Sequence, residues 1–125
     1  MAGPEVIRSA DCANSPKNAA AEELGLALSG AQPLLREALS DGVIWDRSGT
    51  SLSGVEAVAS TAEAVTPPLR IRIEQVVTHG KSAAVSGRVW TAPGQALLFC
   101  HMIRYTSAAQ RQVAQIVSFD HPVRD

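Results

Sequence analysis

The chain has 125 residues, a formal net charge of -1 and 46% hydrophobic residues. This length predicts one domain, able to bury roughly two-thirds of its unfolded surface without metal or disulfide staples. The nearly balanced charge argues against nucleic acid or an anionic membrane surface as the main partner, and no apolar run is long enough to cross a bilayer. Residues 1 to 8 lack the basic start and apolar middle of a signal peptide, so a cytoplasmic location is expected. Cys12 and Cys100 match no metal-ligand spacing and are expected to stay reduced there. Cys100 reads as a small apolar strand residue.

Residues 1 to 14 show no period and are expected to form a loose arm, with one domain over 15 to 121. Ser15-Pro16 is a helix start, with Ser at the N-cap and Pro at the first helical position. Ala20, Leu24, Ala27, Leu28 and Ala31 then lie at helical spacing, and Gly30 is placed to end the helix. Pro33 is expected to open a short second helix with Leu34, Leu35, Ala38 and Leu39 inward. Asp41-Gly42 stops it, and 43 to 47 read as a short strand. Ile44 and Asp46 share one face of that strand; Val43, Trp45 and Arg47 share the other. Ser53-Gly54-Val55-Glu56 fits a capping box for a third helix. Its buried stripe would be Val55, Val58, Ala59, Ala62 and Val65. Thr66-Pro67-Pro68 ends it, because a residue before proline is pushed out of helical dihedrals.

The period then changes from helical to alternating. Leu69, Ile71, Ile73 and Val77 alternate with polar residues, and His79-Gly80-Lys81 reads as a hairpin turn. A strand from 82 to 91 follows, then a turn at Pro93-Gly94. A long strand follows from 95 to 107, and a last one from 113 to 119. The long strand is largely apolar on both faces: Leu97, Phe99, His101, Ile103 and Tyr105 on one, Leu98, Cys100, Met102 and Arg104 on the other. Helices can cover only one face, so a partner sheet is expected over the second. The fold class predicted is α+β, with three helices from the N-terminal half on one face of a curved, mostly antiparallel sheet. No strand is expected before residue 40.

The run Leu39-Ser40-Asp41-Gly42-Val43-Ile44-Trp45-Asp46, followed by Leu52-Ser53-Gly54-Val55 and the closing Ile116-Val117-Ser118-Phe119-Asp120, resembles the nuclear transport factor two-like (NTF2-like) superfamily. The resemblance spans about Ser15 to His121. That superfamily has a cystatin-like cone fold and includes ketosteroid isomerase, the SnoaL-like polyketide cyclases and limonene epoxide hydrolase. It implies a cone-shaped pocket for a small apolar molecule and a homodimer formed through the sheet. It also implies that Asp46 falls where ketosteroid isomerase keeps its general base, and His101 where that enzyme keeps a protonated aspartate. The enzyme is a standard case of carboxyl groups tuned to opposite roles. This chain departs from it in having Tyr105 as its single tyrosine, so the first helix supplies no tyrosine donor. In cyclase-like relatives an acid near Asp120 can do acid–base work.

Each candidate has a plainer reading. Asp46 becomes a usable base if its face lines an apolar pocket; otherwise it is a strand-end carboxylate bonded to turn groups. His101 could donate to a developing oxyanion, or be a satisfied core histidine. Asp120 could fix the turn before Pro122. Trp45, Trp90, Phe99, Ile103 and Tyr105 are candidate ligand contacts and equally candidate core or interface residues. No phosphate loop, serine-nucleophile motif, metal set or cofactor motif is present. Two functions follow. One is a cofactor-free isomerase, cyclase or hydrolase acting on a small carbonyl or epoxide compound. The other is a non-catalytic ligand-binding or dimerisation module.

Overall fold

The computed structural model describes residues 3–123. Among them, two α-helices lie against one seven-stranded sheet. The elements are β1 (Glu5–Ile7), α1 (Pro16–Leu28), β2 (Leu39–Arg47), β3 (Thr50–Ser53), α2 (Val55–Ala64), β4 (Arg70–His79), β5 (Ser82–Ala92), β6 (Gln95–Tyr105) and β7 (Val113–Val123). The strand order is β1-β4-β5-β6-β7-β2-β3. The β1–β4 and β2–β7 pairs are parallel and the rest antiparallel. The α+β class and the long antiparallel run are as predicted.

α1 begins as its sequence dictates. Ser15 Oγ accepts from the Asn18 N–H, and Pro16 takes the first helical position. The helix packs on β4 and β5. Gly25 permits the approach, since a Cβ there would lie 2.6 Å from Val85 Cγ1. α2 covers β2 and β3 through Val58, Ala59 and Ala62. Curvature enters the sheet where the β4–β5 register slips between Ile73 and Gln75. Gly87, opposite Ile73, has no room for a side chain: a Cβ would collide with the Arg72 carbonyl oxygen.

Four local expectations are corrected. The second helix does not form; 36–38 make a single 3-10 turn and Leu35 is 62% exposed. Leu39 is taken instead by β2, where it pairs with Val113. Arg36 is drawn to Glu56 (3.0 Å) and Glu63 (2.8 Å) on α2. The capping box is also absent, because Ser53 belongs to β3 and Gly54 is the N-cap. The Gly54 N–H donates to the Val43 carbonyl at 2.8 Å, and Glu56 is spent on Arg36. The arm is partly ordered, contrary to its lack of period. Residues 5–7 add a parallel edge strand to β4, so a strand does precede residue 40. Its first two residues lie outside those described. The last strand runs on to Val123, so Asp120 sits in a strand and not at a turn.

Candidate functional site

β2 decides which predicted groups meet. Val43 and Trp45 are 0% and 1% exposed, whereas Ile44 is 38% exposed. The buried face is therefore Val43 and Trp45, and Asp46 lies on the outer face with Ile44. There its carboxylate accepts from Ser51 Oγ (2.8 Å) and Gln115 Nε2 (2.9 Å). These bonds, Ser51 first, hold its pKa below the usual carboxylate range. Asp46 thus has the surroundings of a stable anion and lacks those of a base raised toward neutrality.

His101 points the other way, into the interior, and is 5% exposed. Its Nδ1 lies 2.7 Å from Ser118 Oγ and its Nε2 2.9 Å from Ser29 Oγ, just past the end of α1. Ser118 Oγ also accepts the Trp45 indole N–H at 2.8 Å. One tautomer that satisfies every group has Ser118 giving its hydrogen to Nδ1 and Nε2–H donating to Ser29. Burial, reinforced by the Arg47 charge, pushes the His101 pKa down to about 4, so the ring is neutral at physiological pH. Asp46 and His101, expected to face one another, lie on opposite faces of the sheet.

The remaining candidates disperse. Phe99 packs against His101, ring centroids 5.3 Å apart, and Ile103 is core. Asp120 pairs with Phe99 in register and is exposed. Trp90 lies beneath Arg70 and Arg72, whose guanidinium carbons are 5.2 and 5.5 Å from its ring. Arg47 stands 4.8 Å from the Trp45 ring. Among the described residues, no cluster of three His, Cys, Asp or Glu side chains could hold a metal ion.

Tyr105 alone of the predicted contacts lines a substantial cleft of about 600 Å³. The cleft opens between α1, residues 32–38 and the β6–β7 turn, where the missing second helix leaves space. Leu24 and Ala27 form one wall, Leu34 and Ala38 another, and Tyr105 and Val113 the floor. Tyr105 is 5% exposed, and among the described residues its hydroxyl has no hydrogen-bond partner. Burial raises its pKa, so it stays a neutral donor. Two charged groups border the cleft. Glu23 is occupied by Arg8 (2.7 Å) and Gln32 Nε2 (2.6 Å). Arg111 has no ion-pair partner among the described residues. Sequence reasoning missed this cleft because it assigned residues 33–39 to a helix that would have filled it.

The sequence also gave no hint of Glu22, 2% exposed on α1. Its carboxylate accepts from Arg8 Nη1 (3.0 Å) and the Ser9 N–H (2.9 Å), and so ties the arm to the helix. Beside it, burial and the Glu22 carboxylate push the Cys12 thiol up to about 11, which makes that cysteine a poor nucleophile.

No protein-family model matches this sequence, and comparison with curated proteins finds no match either. Solved structures do match. One is an NTF2-like protein of unknown function from Mesorhizobium loti (16% identity, TM-score 0.68, covering 86% of this chain and 93% of that one). Another is a protein from Kribbella flavida named as a candidate ketosteroid isomerase (14%, TM-score 0.67, 87% and 80%). A third is a de novo designed protein with a curved β-sheet (15%, TM-score 0.67, 84% and 85%). A designed sequence reaches the same architecture as the natural ones, so the likeness carries no chemistry by itself. The chain has the NTF2-like fold.

Proposed function

We propose that this chain is a non-catalytic binding module of the NTF2-like fold. It takes a small, mostly apolar molecule into the cleft between α1, residues 32–38 and the β6–β7 turn. The observation that carries this reading is a roughly 600 Å³ apolar-walled cleft lined by a buried tyrosine whose hydroxyl has no hydrogen-bond partner among the described residues. The volume is in the range of small-molecule sites, and a few fixed polar groups in an apolar wall are their usual composition. The outer face of the sheet supports a homodimer: Met102, Phe119 and Ile44 are 52%, 58% and 38% exposed there. A reducing cytoplasm suits the two unpaired cysteines.

The competing proposal is an acid–base enzyme for a small carbonyl or epoxide compound, with Asp46, His101 and Asp120 as its groups. It has the resemblance behind it and less of the geometry. Base and oxyanion donor would have to act from opposite faces of one sheet, and both His101 nitrogens are already engaged. Binding of the neutral fluorophore N-phenyl-1-naphthylamine tests the favoured reading. The wild-type protein should bind it, and Ala20→Trp, an exposed helix position on the cleft wall, should abolish binding with an unchanged circular dichroism spectrum. Equal binding by both proteins, or none by the wild type, overturns the proposal.

A further inference from the structure

The cleft has a sidedness that its apolar walls alone do not require, and we infer that its ligand is an amphiphile with a carboxylate head. The inference rests on the binding reading above and specifies its ligand. The tail would lie along Leu24, Ala27, Leu34 and Ala38, and the head would sit at the β6–β7 turn against Arg111 and the Tyr105 hydroxyl.

Three observations give the head its charge and place. Arg111 borders the cleft without an ion-pair partner among the described residues. A guanidinium presents a planar fork of donors that matches a carboxylate. Tyr105 lines the same cleft, and its hydroxyl is a neutral donor with nothing to donate to among the described residues. Lys17 also reaches this turn, with Nζ donating to the Ala108 carbonyl at 3.0 Å, so a second positive charge stands over it. The acid that borders the cleft, Glu23, is held on α1 by Arg8 and by Gln32. The cleft therefore offers an apolar trough that borders, at the β6–β7 turn, an arginine without an ion-pair partner among the described residues. A cationic amphiphile would meet repulsion at that end, and a neutral one would accept only weaker hydrogen bonds there, without the ion pair.

Displacement of bound N-phenyl-1-naphthylamine by octanoate, 1-octanol and octyltrimethylammonium separates the possibilities, because the three share a tail and differ in the head. Octanoate is expected to displace the probe at about tenfold lower concentration than octanol, the scale of one charge-assisted contact. Octyltrimethylammonium should be the weakest. In Arg111→Gln the octanoate advantage should shrink to about twofold or less, with octanol unchanged. If octanoate and octanol displace equally in the wild type, or if Arg111→Gln leaves their ratio intact, the carboxylate inference is overturned and the cleft reading survives. If the probe binds neither protein, or binds Ala20→Trp as well as wild type, the cleft reading fails and takes this inference with it.

Discussion

The Ser118 hydroxyl lies 2.7 Å from His101 Nδ1 while accepting the Trp45 indole N–H at 2.8 Å. It thereby joins β2, β6 and β7 through one half-buried oxygen. The relay continues through the imidazole to Ser29 at the end of α1. Every ring nitrogen is satisfied, so the histidine is affordable inside an apolar cone.

Ser118→Ala should therefore be costly for so small a change. It leaves an indole N–H and an imidazole nitrogen unpaired together, at about 2–4 kcal/mol. Trp45→Phe combined with Ser118→Ala should cost less than the sum of the two alone, since Trp45→Phe removes the donor that Ser118→Ala orphans. Urea unfolding of the four proteins measures this, and strict additivity would remove the relay from the account.

His101 also sets a pH dependence. Its ordinary pKa is 6.5, and burial, then Arg47, lowers it to about 4 in the fold. Between these values the unfolded chain binds more protons than the folded one, so stability rises with pH through that window. The protein should be most stable above about pH 6.5 and lose on the order of 3 kcal/mol from this group as pH falls to 4. Carboxylates titrating nearby are common to wild type and His101→Gln. The difference between their stability profiles from pH 7 to 4 isolates the histidine, and parallel profiles would refute the assignment.

How much of this was legible beforehand depended on how far apart in sequence the partners stand. The N-cap at Ser15, the proline stop after α2 and the three hairpin strands are local signals, and each formed where the residues put it. Strand parity in β2 was also local and correct. Which face is buried was not, because it depends on Val43 and Trp45 together outweighing Ile44 once β7 and α2 are in place. That single choice moved Asp46 from the interior to the outside. Glu22 drew no expectation at all, because its partners Arg8 and Ser9 lie in an arm with no period of its own. The segment 33–39 had helical spacing, but Arg36 found α2 and Leu39 found β7, and both contacts are long-range. The cleft exists because of that failure, so no local pattern could have announced it.

Gly87 offers a test of the sheet's curvature. A methyl group there meets the Arg72 carbonyl oxygen, part of a backbone already committed to the ladder beside the bulge. Gly87→Ala should destabilise by about 2–3 kcal/mol, the cost of overpacking where nothing can give. Gly42→Ala, also in a strand but facing open space, is the matched control and should be close to neutral. Equal midpoints in denaturant for the two variants would contradict the close approach.

Glu22 should govern the arm. Removing its carboxylate in Glu22→Ala leaves Arg8 with its Glu23 pair and leaves the Ser9 N–H without its acceptor. Arg8 is already half exposed, so the loss is modest, about 1–2 kcal/mol, and falls on the arm more than on the whole fold. Tryptic cleavage after Arg8 should accelerate about tenfold under native conditions. Glu22→Gln, which keeps an acceptor for Ser9, should fall between. No change in cleavage rate would mean that β1 alone holds the arm.

The outer face of the sheet supports the last prediction. Met102 on β6 and Phe119 on β7 are both more than half exposed, at 52% and 58%, and Cys100, cross-strand from Phe119, lies between them. A lone exposed apolar side chain needs no explanation, but neighbours on adjacent strands make a patch. Sheet-on-sheet packing would cover it with the same patch of a second chain, as a two-fold interface requires. The wild type should therefore sediment as a dimer at micromolar concentration. Met102→Glu or Phe119→Lys, introduced singly, would place an unpaired charge in the centre of that contact twice per dimer. The dissociation constant should rise about a hundredfold or more. Because the cleft lies across the sheet from this face, the monomeric variants should still bind N-phenyl-1-naphthylamine. A wild type that sediments as a monomer at micromolar concentration would reject the dimer. Loss of probe binding on dissociation would instead show that the interface supports the cleft, which the opposite placement of the two faces argues against.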